Sequence, residues 1–154
     1  MRALIQGFDI RVIGFLRKME LPMARFAILA VYFWFGLLKL LGLSPATPLV
    51  YALFEKTISV MPFAVFYGPF AIFEIAIGDL FLVRGLERVA ICLLALHLAT
   101  TILPLIFLPH IAWQAFLVPT LEGQYIIKNI VIAALAIVIG SRLAPMSLKS
   151  RLQR

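Results

Sequence analysis

Two carboxylates, Glu74 and Asp79, sit inside the almost wholly apolar stretch FAIFEIAIGDLFLV at residues 70 to 83. A carboxylate in such surroundings is costly to ionise unless something pairs with it, so it marks either an ion pair that fixes helix register or a group that handles protons. His97 lies in a second apolar run and adds an imidazole able to take up and release protons near neutral pH. Lys39, Thr101, Lys128, Asn129 and Tyr32 place further polar atoms in apolar runs. These residue types fit general acid–base chemistry beside a small-molecule pocket, with Glu74 and His97 as catalytic candidates and Lys39, Thr101, Lys128, Asn129 and Tyr32 as ligand-binding candidates. A quinone headgroup suits such a pocket, because its reduction consumes protons and its ring tolerates apolar walls. The competing reading is structural: Glu74 pairs with Lys39, Lys128 or His97 and only sets register.

Other chemistries are set aside by what is missing from the pattern. Cys92 is the single cysteine, so the chain has no internal disulfide, no redox pair and no thiolate cage, and the residue reads as a small packing group. His97 and His110 are separated by roughly 20 Å along one helix axis, too far to ligate one haem together. Phosphate-cradling glycine loops, nucleophile elbows and metal-ligand spacings are absent from the sequence, so no metal site and no covalently bound cofactor is expected. The net charge of +7 does not signal nucleic-acid binding, because the basic residues are parked between apolar runs instead of being interleaved with stacking aromatics.

Of the 154 residues, 64% are hydrophobic and 14% charged, which with a mean hydropathy of +1.07 predicts an all-α integral membrane protein. Apolar runs near the roughly 20 residues needed to cross a bilayer predict four spans, at about 25–43, 62–84, 89–108 and 124–142, in one four-helix domain at 23–143. Residues 1–22 place Ile5, Phe8, Val12, Phe15, Leu16 and Met19 on one helical face and read as an amphipathic interfacial helix. The basic-then-apolar start is similar to a secretory signal, but its long basic region and long apolar run predict a retained helix. LVYALFEKTISVM, too short and polar to span, predicts a second, extracytoplasmic interfacial helix; Trp113 suits a membrane boundary; residues 144–154 form a basic tail.

Eleven of the 14 lysines and arginines fall on one side of these spans, which predicts cytoplasmic termini with the loops at 44–61 and 109–123 outside. At ~1.5 Å of rise per residue, Glu74 and His97 then both lie about 14 to 15 Å from the cytoplasmic boundary and are able to meet. By the same count Lys39, Thr101, Lys128 and Asn129 lie about 20 Å deep, and Asp79 only about 7 to 8 Å, near interfacial arginines. Ala64, Gly68, Ala71, Glu74 and Gly78 form one stripe, which predicts that Glu74 points into the bundle.

FWFGLLKLLG, FEIAIGDLFLVRGLERVA and GQYIIKNIVIAALAIVIG, spread over residues 25 to 142, resemble the DoxX-like family of small bacterial four-helix membrane proteins, with Gly36, Lys39, Glu74, Gly78, Arg88, Lys128 and Asn129 at the matching positions. The resemblance implies a multi-pass protein of the bacterial inner membrane. Its wider family includes the membrane subunit of a thiosulfate:quinone oxidoreductase and members linked to redox assemblies. The expectation is therefore a membrane subunit of a quinone-linked redox complex, partnered by lipid and by other membrane or redox subunits or further copies of itself. A non-catalytic accessory subunit is the alternative, favoured by small-residue stripes at Ala95/Ala99 and Ala136/Gly140; a small-solute transporter is a third reading, since intramembrane charges also mark transport paths.

Overall fold

Six helices and one small hairpin make up the computed structural model, which describes residues 2–58 and 60–145. In chain order these are α1 (Arg2–Leu40), α2 (Thr47–Thr57), α3 (Phe63–Leu80), α4 (Glu87–Phe107), α5 (Pro109–Ala112), β1 (Trp113–Ala115), β2 (Val118–Pro119) and α6 (Leu121–Ser141). Four of them, α1, α3, α4 and α6, contain stretches long and apolar enough to cross a membrane. The tail from 146 onward, with Lys149, Arg151 and Arg154, lies outside the described residues.

Local chemistry explains where the helices stop. Gly42 takes a left-handed φ of 70° just past α1, and the Leu43 N–H reaches back to the Leu38 carbonyl at 2.9 Å while the Gly42 N–H donates to Lys39, a Schellman close. Pro62 supplies the extended entry to α3, and Thr120 caps α6 by accepting from the Gly123 N–H at 3.1 Å. Where the sequence divides an interfacial helix from a first span at residues 22 to 25, the structure has one helix: α1 runs through Pro22 for 39 residues. At ~1.5 Å per residue that is about 58 Å, nearly twice the thickness of a hydrocarbon core.

The loop at 109–123 is more ordered than its composition suggests. Pro109 has no N–H for the Leu105 carbonyl one turn earlier, and the Trp113 indole N–H donates to that carbonyl instead, at 3.0 Å. Lys56 performs a similar service for the end of α4, donating to the Phe107 carbonyl at 2.8 Å and tying α2 to it. Trp113→Phe keeps the ring's bulk but orphans the Leu105 carbonyl; we expect a loss of about 1–3 kcal/mol in unfolding measurements on the detergent-solubilised protein. Unchanged stability would mean that water already serves that carbonyl.

Around the bundle α1 packs on α3 and α6, and α4 packs on α3 and α6, so each long helix has two antiparallel neighbours. The tightest seam is α1 with α3. A Cβ on Gly36 would fall 2.7 Å from Ile75 Cγ1 and 2.9 Å from the Ala71 carbonyl oxygen, and one on Gly78 would fall 3.2 Å from the Phe33 nitrogen and Tyr32 Cβ. Ala71, Glu74, Ile77 and Gly78 are the buried face of α3; Ala64 is exposed, so the small-residue stripe points inward over part of its length only. Ala136 is buried, whereas Ala95 and Ala99 face outward.

The interior is layered. One half of the bundle, toward the 81–87 turn, is filled by Ile28, Ile77, Phe81, Leu94, Ala136 and Ile139. The other half is aromatic: Phe54 packs on Phe63 and Phe66, and Phe66 stacks on Phe70 with ring centroids 5.3 Å apart. Outward faces carry Phe26, Trp34, Ile72, Leu96, Ile106, Ile130 and Ile137, an apolar exterior suited to lipid.

Candidate functional site

Between those two layers, four side chains from three helices join end to end. Lys39 (α1) donates to Oε2 of Glu74 (α3); the other carboxylate oxygen lies 2.9 Å from His97 Nε2 (α4); and His97 Nδ1 lies 3.1 Å from the Tyr32 hydroxyl, back on α1. All four residues are at least 93% buried. Among the described residues, no buried side-chain nitrogen or oxygen lacks a hydrogen-bond partner.

With Glu74 ionised and His97 neutral, donor and acceptor capacities assign the direction of each bond. An ionised carboxylate only accepts, so Glu74 takes one hydrogen bond from the Lys39 ammonium and one from His97 Nε2–H. In the neutral imidazole Nδ1 is then the acceptor, and the Tyr32 hydroxyl donates to it. Thr101 Oγ1 approaches the same nitrogen at 3.3 Å but is committed as donor to the His97 carbonyl at 2.8 Å, which leaves Tyr32 as the donor to Nδ1. The result is a directed relay from Tyr32 to His97 to Glu74, with Lys39 balancing the carboxylate charge.

The surroundings hold the imidazole in place. Phe70 lies nearly parallel to His97 with centroids 5.5 Å apart, Tyr32 meets it edge-on at 5.2 Å, and the Lys39 ammonium sits 5.4 Å from the Phe70 ring centre. Glu74 and His97 thus meet as their equal depths predict. Lys39 reaches them from a Cα about 5 Å further along the bundle, because helical side chains lean toward their own N-terminus and those on α1 lean toward Glu74.

The remaining candidates separate. Tyr32 and Thr101 both touch His97, whereas Lys128 is exposed and its ammonium lies 5.3 Å from the Tyr125 ring centre on its own helix. Asn129 is half-buried and makes no side-chain hydrogen bond recorded among the described residues. In place of a pocket that includes both Lys39 and Lys128 there is a closed cluster without Lys128: two residues apart from the buried Ile126, Lys128 is turned about 200° away around α6. Asp79 is exposed beside Phe26, Leu29, Ala30, Phe33, Trp34 and Leu82, and makes no ion pair among the described residues.

Sequence reasoning missed Glu87. It is buried, bonds Arg25 at 2.7 Å and accepts from the Gly85 N–H at 2.7 Å, closing the 81–87 turn against α1. Glu20 and Arg142 make a second, more exposed link from α1 to the end of α6. The available signal was an acid in the first turn of α4 at the end of the bundle where Arg25 begins a span.

Comparison with family models, with curated proteins and with solved structures returns no match to this chain.

Proposed function

We propose that the chain is a multi-pass subunit of a bacterial inner-membrane, quinone-linked redox assembly, with both termini cytoplasmic, in which the Tyr32–His97–Glu74 relay moves protons. The observation that carries this reading is the relay itself: an imidazole with a hydroxyl on one nitrogen and a carboxylate on the other, buried at mid-bundle. The resemblance to the DoxX-like family supports the redox setting, and the concentration of arginine at the 81–87 end supports the orientation.

The closed packing of this cluster supports a quinone held outside it. Lys39 Nζ, His97 Nε2 and the Tyr32 hydroxyl each already have a protein partner, and two clefts, one along α1 at Ile13 to Met23 and one at Asp79, touch none of them. In this reading the quinone is held elsewhere in the assembly, and this chain's residues supply or store the proton. A concerted shift of the Tyr32 proton to His97 Nδ1 and of the Nε2 proton to Glu74 leaves a Tyr32 phenolate and a neutral Glu74; the reverse shift restores the resting state, and Lys39 offsets the single negative charge at either end.

Tyr32→Phe deletes one hydroxyl from a ring that otherwise keeps its packing. In native membranes we expect it to slow quinone-dependent turnover by roughly 10²-fold while the assembly still purifies intact. Turnover at the parental rate in both Tyr32→Phe and Glu74→Gln membranes would sink the relay. That result would favour the second reading, a non-catalytic accessory subunit, which the closed state of the cluster supports; its signature is a stoichiometric cofactor-bearing partner that copurifies.

A further inference from the structure

On the flank of the bundle, well away from the relay, α1 and α3 leave a cleft of about 470 Å3 lined by Phe26, Leu29, Ala30, Phe33, Trp34, Asp79 and Leu82. We infer that this cleft binds a phospholipid with a primary ammonium headgroup, the ammonium meeting Asp79 and an acyl chain lying over Ala30. The inference rests on the membrane placement proposed above and uses no part of the relay.

Three observations favour that occupant. The first is charge: Asp79 is the acid on this flank, is exposed, and has no ion-pair partner among the described residues, in a wall that is otherwise apolar. An uncompensated carboxylate at this depth invites a cation from the leaflet. The second is chemistry: Phe26, Phe33 and Trp34 present aromatic rings beside the carboxylate, the combination that recognises an organic ammonium. The third is size. The volume falls in the range of small-ligand sites, and the bulky rim of Phe26, Phe33 and Trp34 around a small Ala30 makes a slot for a chain instead of the small-residue surface on which a partner helix packs closely. Arg84, exposed in the turn that follows α3, supplies positive charge for the lipid phosphate at the same end.

Trp34, 60% exposed at the rim, is a built-in reporter. The full chain is reconstituted into vesicles whose lipids carry brominated tails, in which either phosphatidylethanolamine or phosphatidylglycerol is the brominated species, and tryptophan quenching is read against Trp34→Phe to isolate the Trp34 signal. We expect half-quenching at a roughly threefold lower mole fraction of brominated phosphatidylethanolamine, and loss of that preference in Asp79→Asn. Asp79 is exposed, so the variant retains the fold; Ala30→Leu provides a second test, blocking the slot and weakening Trp34 quenching by the ethanolamine lipid. Equal quenching by the two lipids, or a preference that survives Asp79→Asn, overturns the proposal. A preference seen only for an added alkylammonium overturns the lipid assignment. Both leaflets carry the same lipid, so the readout does not depend on orientation. Absence of Trp34 quenching by either lipid would instead remove the membrane placement on which the proposal stands.

Discussion

Glu74→Gln is expected to destabilise the protein by about 3–5 kcal/mol, although the new side chain has the same shape and still accepts a hydrogen bond from His97. The loss comes from Lys39. Its ammonium is buried with Glu74 as its carboxylate partner, and a neutral amide leaves that charge uncompensated between the Phe70 ring and the interior. The double variant Lys39→Met/Glu74→Gln removes both charges, keeps an acceptor for His97 Nε2–H, and fills the space of the lysine stem. It should therefore recover to within about 1–1.5 kcal/mol of the parent, since a buried ion pair replaced by well-packed groups is often close to neutral. Reversible unfolding in mixed micelles, run on both singles and the double, gives the coupling directly. If Glu74→Gln is no less stable than the double, Lys39 and Glu74 are not a coupled buried pair. The comparison also bears on function: a pair that is neutral for stability but needed for turnover is retained for its chemistry.

How far this site was legible from sequence depends on which geometric constant each residue relies on. Helix rise is nearly invariant, so counting residues from the basic ends placed Glu74 and His97 side by side although 23 positions separate them in the chain. Lateral phase is equally regular but needs a known buried face to refer to. On α4 the inward positions Glu87, Ala90, Leu94 and His97 follow steps of three and four, whereas on α6 so many positions are apolar that the sequence did not show Lys128 facing away from Ile126. The link from Lys39 to Glu74 lay between these cases, since it depends on the lean of a long side chain as well as on depth.

Continuity of α1 was illegible for a different reason. Its first half reads from sequence as amphipathic and its second half as apolar nearly all round, and that change of pattern suggests two elements where the backbone runs on through Pro22 as one helix. The hairpin at Trp113–Ala115 and Val118–Pro119 was hidden because it depends on contacts across chain turns: Gly123 lets the start of α6 approach so closely that an added Cβ would sit 2.1 Å from the Ala112 carbonyl oxygen. The four apolar runs, by contrast, needed only composition and length.

Glycine position on α1 gives the second large effect, and its sign should reverse along one helix. Gly14 has nothing within 4 Å of a Cβ added to it, so Gly14→Ala should stabilise by about 0.5–1 kcal/mol through helix propensity alone. Gly36→Ala carries the same propensity gain, yet its methyl would meet Ile75 Cγ1 at 2.7 Å, the Ala71 carbonyl oxygen at 2.9 Å and the Ile75 nitrogen at 3.1 Å. The Ile75 side chain is able to rotate, but the backbone atoms of α3 are not, so the helices must separate, at a net cost of about 1–3 kcal/mol. Lys39 lies three residues beyond Gly36, on the same face, and its bond to Glu74 crosses this seam. Separation at Gly36 therefore loosens the ion pair as well as the packing. Combining Gly36→Ala with Lys39→Met/Glu74→Gln tests that coupling: the glycine substitution should cost less once the pair is gone, and strictly additive unfolding energies would show that seam and relay are independent.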